Sequence, residues 1–184
     1  LLPGRLSRYK GHAAFIEMLA TLLTRFDDIH GVILGEARPG SRYVNELEGL
    51  AERNGVGDRL TFCGLRTDMR DWMAASHLVF NLCSDPPEAF GRIATECLAL
   101  GVPLVAWNHG GVKEILQQMF PAGAVEPDDI IDLIEKTAGF LDQRPVVFDR
   151  KLGVRLHVVG RQILAETQKC QPLGLILQII QIGN

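Results

Sequence analysis

Residues 84–111, "SDPPEAFGRIATECLALGVPLVAWNHGG", run from a Pro-Pro turn through a helical pattern at 90–100 into the apolar strand "PLVAW" at 103–107, and close on a Gly-Gly turn. A helix between two strands is the crossover that parallel neighbours need. The same rhythm continues in both directions. Upstream, "HAAFIEMLATLLTRF" places Phe15, Met18, Leu19, Leu22, Leu23 and Phe26 at helical spacing, and "GVILGE" reads as a buried strand ending at Gly35. Ser41 is positioned to cap a helix whose apolar face carries Val44, Leu47, Leu50 and Ala51 and which stops at Gly55 to Gly57. "LTFCG" (60–64) is a strand, "DMRDWMAAS" a short helix and "LVFNL" (78–82) a strand. Downstream come a short helix near 111–118 and an acidic-capped helix from about Asp128 to Leu141. This alternation predicts a doubly wound, Rossmann-like α/β domain with a parallel sheet and helices on both faces. Ligands of such sheets bind outside the carboxyl ends of the strands. The loops that follow strands are "GRLSRYKG", "GEARPG", "GLRTD", "CSDPPEAFG" and "NHGG", and all carry glycine, charge or both.

The 184 residues are 47% hydrophobic and 22% charged, ordinary proportions for a globular chain and enough for one domain with a real core. A net charge of −3, from 19 basic and 22 acidic residues, leaves no footprint for nucleic acid or an acidic membrane surface. Cys63, Cys83, Cys97 and Cys170 show no CxxC spacing, and buried free thiols in a reducing, cytoplasmic setting are expected. No signal peptide opens the chain, and Leu1 is not an initiator Met, so an internal start within a longer gene product is expected.

Gly4-Arg5 and Lys10-Gly11 put two cations around the first strand–helix turn, where a helix N-terminus already attracts anions. Together they suit a diphosphate, and they suit an ordinary solvated loop equally well. Neither GxGxxG nor a Walker loop is present. In the opening stretch, Phe90-Gly91-Arg92 begins a helix, and the bare Gly91 lets a phosphate approach its amide and that of Arg92. Glu96 follows ~8 Å along the axis, about the step from a phosphate to the far hydroxyls of a ribose. Its neighbours Ile93, Ala94, Cys97 and Leu98 suggest a largely buried helix, where an unpaired charge is costly. Pairing with an outside Arg or Lys is the alternative. Glu88 either holds hydroxyls of a sugar or is a helix-start carboxylate favoured by the dipole. His109 fits a ligand contact and a plain turn equally; His12, His30, His77 and His157 read as structural or surface. Trp72 and Trp107 read as packing rather than base-stacking platforms.

Gly4-Arg5-Leu6 with Lys10-Gly11, Gly64 after a strand, Glu88-Ala89-Phe90-Gly91 with Glu96, Gly101-x-Pro103, and His109-Gly110-Gly111 with Glu114 together resemble a family 4 retaining glycosyltransferase of GT-B architecture. The resemblance covers about residues 2–142 and the donor-binding, C-terminal half of that fold. It implies that Arg5 and Lys10 hold the diphosphate of a UDP- or GDP-sugar and offset charge on the leaving group, a role that can substitute for a metal. It implies further that Glu88 contacts the donor sugar, that Gly4, Phe90, Gly91, Arg92, Gly110 and Gly111 line the donor, that Glu96 binds the ribose, and that Leu65 and Arg66 fall where the base lies. No metal or other cofactor is implied. Asp27-Asp28 ends a helix and is not read as a metal-binding DxD pair. The strand phrase looks like enzymes of bacterial cell-surface polysaccharide and lipopolysaccharide synthesis, which would work in the cytoplasm or peripherally at the inner face of the membrane.

Two departures qualify that picture. The family's N-terminal acceptor-binding domain is not represented, and the strand before Gly4 is cut to Leu1-Leu2-Pro3. The chain alone is therefore expected to bind a nucleotide-sugar weakly and to transfer nothing, since orientation supplies much of the rate. Beyond the domain at 1–142, a helical segment is expected at 143–168 and an atypical apolar tail at 169–184. That tail is too short to span a bilayer, which takes about 20 residues. Its β-propensity suits a sheet edge, a dimer contact or aggregation. A homodimer through the exposed cleft or this tail, a stand-alone nucleotide-sugar binding module, an inactive remnant and a GT-B-like sugar-nucleotide epimerase are the competing readings.

Overall fold

A computed structural model of the chain describes residues 1–39 and 41–143. The helix expected within 143–168 and the apolar tail at 169–184 lie outside the described residues.

Strands β1 (Leu2–Pro3), β2 (Gly31–Leu34) and β3 (Leu60–Phe62) pair in parallel in the order β1-β2-β3, with Leu2 opposite Ile33 and Gly31 opposite Leu60. Strands β4 (Val79–Asn81), β5 (Leu104–Trp107) and β6 (Ala124–Val125) form a second parallel set, with Phe80 opposite Val105 and Trp107 opposite Val125. The halves meet at Leu1: its carbonyl accepts from Phe80 N at 2.9 Å, and its nitrogen donates to the Leu78 carbonyl at 2.9 Å. Across the molecule the order is thus β3-β2-β1-β4-β5-β6. It reverses between β1 and β4, which is where a doubly wound fold opens a crevice. Leu1, Leu2 and Pro3 are all buried, Leu1 bonding toward β4 while Leu2 and Pro3 pair with β2.

Among the described residues six α-helices cover the sheet: α1 (His12–Leu22), α2 (Tyr43–Arg53), α3 (Met69–Ala74), α4 (Arg92–Ala99), α5 (Gly110–Met119) and α6 (Ile130–Asp142). Side chains alternate across a strand, so β5 feeds two cores. Val105 and Trp107 join Phe15, Leu19, Leu47, Phe80, Leu133 and Leu141 on the face of α1, α2 and α6. Leu104 and Ala106 join Leu34, Trp72, Met73, Ala94, Cys97 and Leu116 on the face of α3, α4 and α5. Both tryptophans are packing residues.

Several boundaries differ from the sequence reading. α4 starts at Arg92, two residues late, because Gly91 takes φ +58° and terminates the loop. Gly110 and Gly111 are not a turn but the first residues of α5. Ser41 accepts from Tyr43 N at 3.2 Å while Arg42 occupies the cap position. Asp129 caps α6, accepting from Asp132 N at 2.9 Å.

His12, the first residue of α1, is fully buried and edge-on to the Tyr43 ring at 5.9 Å. Burial, aided by the Lys10 charge and opposed by the Ser7 backbone, pushes its pKa down to about 4 from 6.5. The folded value lies below the unfolded one. His12 therefore supports the fold fully above pH ~6.5, and that support drains as pH falls toward 4. About 2 kcal/mol of this should be lost between pH 7 and 5; His30, whose pKa burial also pushes down to about 4, adds a similar loss, so His12→Phe should remove about half of the urea-midpoint shift. Equal pH slopes for the two proteins would contradict the assignment.

Candidate functional site

The two loops at the reversal point are fixed by backbone contacts. After β1, Gly4 at φ +146° donates its amide to the Leu34 carbonyl at 2.7 Å, and Leu6 N donates to Glu36 O at 3.1 Å. A single 3-10 turn at Arg8–Lys10 leads to Gly11 at φ +74°, which starts α1. A Cβ on Gly11 would collide with the Leu82 carbonyl, so only glycine lets this turn lie against the end of β4. After β4, Ser84 N donates to Tyr9 O at 2.7 Å, and the Cys83 thiol donates to Pro86 O at 3.3 Å. From the neighbouring β5 loop, His109 Nε2 lies 2.5 Å from Cys83 O, and Gly111 N donates to Glu88 O at 2.8 Å.

These constraints bring Lys10 Nζ to 2.5 Å from Glu88 Oε2 across 78 residues of sequence. Both side chains are mostly shielded, 21% and 24% exposed. They close one side of a cleft of about 270 Å³ lined also by Pro3, Gly4, Arg5, Asn81 and Ile93. Burial pulls the Lys10 ammonium down, but the Glu88 hydrogen bond and the neighbouring Cys83, Glu88 and Tyr9 groups outweigh it and raise its pKa above 10.5. Lys10 thus keeps its positive charge through the neutral range. Burial raises the Cys83 thiol, which stays protonated. Arg5 is exposed and lines the same cleft. A fixed ammonium, a second cation and a carboxylate at a sheet's switch point suit a ligand that is anionic at one end and hydroxyl-bearing at the other.

The remaining expected residues sit around this centre at differing distances from it. Phe90 is 84% exposed on the rim, beside Gly91 and the exposed Arg92. Glu96 is not on a buried helix face: its side chain is 45% exposed and lies 3.7 Å from Arg92 on its own helix. At 100° per residue, Glu96 projects away from the buried Ala94 and Cys97. It is therefore about half in solvent, beside Arg92 on its own helix. Leu65 is 71% exposed beyond β3, while Arg66 grips Asp68 at 2.9 and 2.7 Å and lies 5.6 Å from the Trp72 ring centroid. The Arg66 hydrogen bond is the main cause holding the Asp68 pKa below 3.8. Gly110 and Gly111 lie behind the Glu88 loop, where a Cβ on either would run into the backbone of residues 87–90. Their visible part is to seat Glu88. Asp27 and Asp28 are exposed after α1, at the opposite end of the sheet from the cleft.

The sequence reading left His109 open and did not anticipate its contact with Cys83. The signal was its place next to Gly110-Gly111, one strand away from the Glu88 loop. Among the described residues no helix is long and apolar enough to cross a membrane.

Comparison with known proteins places this geometry in context. The family described as Glycosyl transferases group 1 matches residues 1–160. The lipopolysaccharide core biosynthesis mannosyltransferase LpsB of Rhizobium meliloti is 30% identical over 173 residues, covering 90% of this chain and 45% of that protein. The chain thus spans less than half the length of that relative. The C-terminal domain of the group 1 family protein LpcC from Francisella tularensis superposes with a TM-score of 0.65 at 26% identity, over 81% of this chain and 74% of that one. Anabaena Alr3699/HepE in complex with UDP superposes with a TM-score of 0.67 at 24% identity, over 97% of this chain and 45% of that one, a likeness of fold.

Proposed function

The chain belongs to the group 1 glycosyl transferases, and from that premise we propose that it is the donor-binding half of a retaining, metal-independent transferase of the family 4 kind. The observation that carries this reading is the Lys10–Glu88 pair at the β1/β4 reversal. With no ligand between them, the two charges satisfy each other. A nucleoside-diphosphate sugar offers each a better partner: the diphosphate for Lys10 and Arg5, sugar hydroxyls for Glu88. The ribose then reaches the solvent-side Glu96, and the base lies toward Leu65 and Arg66. During transfer the bond from the anomeric carbon to the diphosphate oxygen breaks, the acceptor hydroxyl oxygen bonds to that carbon in its place, and the hydroxyl proton passes to the departing diphosphate. Negative charge collects on the departing diphosphate, where Arg5 and Lys10 stabilise it without reorganising.

The acceptor side of the cleft belongs, on this reading, to further sequence such as the other half of LpsB-length relatives, and a bacterial cell-surface polysaccharide or lipopolysaccharide intermediate is the acceptor class. The chain alone then binds donor without transferring sugar; any trace of acceptor glycosylation by it would contradict this. Calorimetric titration with UDP, GDP and their sugars tests the donor site. One nucleotide should bind, with Arg5→Ala and Glu96→Ala each weakening it about tenfold, ~1.4 kcal/mol. Binding untouched by both substitutions would place the nucleotide elsewhere.

A further inference from the structure

The lining of the donor cleft holds a polar side chain with an unspent donor: Asn81, the last residue of β4, only 7% exposed. Side chains alternate along a strand, so Asn81 shares the face of Val79, in the core under α3, α4 and α5. Its cross-strand neighbour Ala106 lies in that core, and Ile93 of α4, which also lines the cleft, packs on it. A carboxamide in such surroundings needs partners for both of its ends. Oδ1 has one: it accepts from Cys83 N at 3.4 Å, an Asx turn at the end of the strand. Because Cys83 N can only donate, that contact fixes which end of the carboxamide is oxygen. Nδ2 is buried and has no hydrogen-bond partner among the described residues. The turn accounts for an Asn or an Asp at this position equally well, and it gives the Nδ2 protons no purpose.

The rest of the cleft shows what those protons suit. Lys10 and Arg5 only donate, and Glu88 as a carboxylate only accepts. The two cations match a diphosphate. A sugar hydroxyl is both donor and acceptor, so it can donate to Glu88 while its oxygen still has room to accept. We propose that Asn81 is a specificity-determining residue of the donor site, its Nδ2 donating to a hydroxyl of the transferred sugar that itself donates to Glu88. This rests on the donor reading of the cleft. Asn81 and Glu88 stand at the two ends of one loop, which the Ser84–Tyr9 and Gly111–Glu88 backbone bonds hold in place. The Cys83 contact, near the long limit of a hydrogen bond, lets the carboxamide turn toward the ligand at little cost. A buried donor that only the right hydroxyl satisfies discriminates against sugars that lack it.

The test is calorimetric titration of the unaltered chain, Asn81→Leu and Asn81→Asp with UDP, GDP, UDP-glucose and GDP-mannose. The quantity read is the ratio of nucleotide-sugar affinity to bare-nucleotide affinity. Both substitutions remove the Nδ2 protons at nearly unchanged volume, and Asp keeps an acceptor for Cys83 N. The ratio should fall at least about tenfold in both variants, while Asn81→Leu holds the bare nucleotide within about twofold of the unaltered chain. The charge that Asp adds to the cleft weakens both ligands and divides out of the ratio. An unchanged ratio in Asn81→Leu would overturn the proposal. So would a ratio that Asn81→Asp retains, which assigns the effect to the Cys83 turn. An equal loss of bare nucleotide in Asn81→Leu would overturn it too, by assigning Asn81 to the phosphates or to the fold. In these three cases nucleotide still binds the unaltered chain and the donor reading stands; no binding to that chain at all would overturn both.

Discussion

Lys10→Ala is expected to lower the affinity of the chain for its nucleoside diphosphate by about 100-fold, ~2.7 kcal/mol. Two effects add. The substitution removes a shielded ammonium whose hydrogen bonds to phosphate are charge-assisted, contributions of about 1.5–3 kcal/mol. It also leaves Glu88 unpaired in the same cleft, where the carboxylate repels the incoming diphosphate. Glu88→Gln separates these effects because it frees Lys10 from its competitor. It should tighten binding of the bare nucleoside diphosphate while weakening the extra affinity that the attached sugar brings. Lys10→Ala/Glu88→Gln should then recover part of the loss for the diphosphate and none for the sugar. Titration of the four proteins with diphosphate and nucleotide-sugar checks this. If Glu88→Gln weakens both ligands alike, the pair is a structural clasp and not a divided grip.

Trp107→Ala is expected to destabilise the domain by about 3–5 kcal/mol. Trp107 is 2% exposed at the end of β5, opposite Val125 of β6, and lies in the core shared with Phe80, Leu133 and Leu141. Its removal opens a cavity between the sheet and α6 that such neighbours can only partly refill. Against a total of about 5–15 kcal/mol for an ordinary domain, most of the reserve would go. The urea midpoint measures it. A loss below about 1 kcal/mol would mean that the α6 side of the sheet contributes little to the cooperative unit. Because β5 continues into Asn108 and His109, a partial collapse there should also loosen the Glu88 loop.

How much was legible differs element by element. Phe15, Met18, Leu19 and Leu22 fall on the buried face of α1 because about three turns of consistent spacing leave little choice. The parallel sheet follows from strand–helix alternation in the same way. β6 escaped because Ala124–Val125 is too short to show a period and is placed by its pairing with β5. Glu96 misled through its neighbours: Ile93 and Leu98 are apolar but only partly buried, so apolar flanks did not mean a buried face. Gly110-Gly111 reads as a turn from composition, whereas its reason is the close approach of residues 87–90. The family resemblance put Lys10 and Glu88 near one ligand. Their direct contact comes instead from the Tyr9–Ser84 and Glu88–Gly111 backbone bonds, which have no sequence signature.

Whether the β1 and β4 loops form one donor grip can be read from backbone amide NMR of the purified chain during titration with UDP and GDP. One of the nucleotides should move the signals of residues 4–11 and 88–96 together, with those near Leu65 and Arg66 following when the base is engaged. Shifts confined to other parts of the chain, or none at millimolar nucleotide, would contradict it.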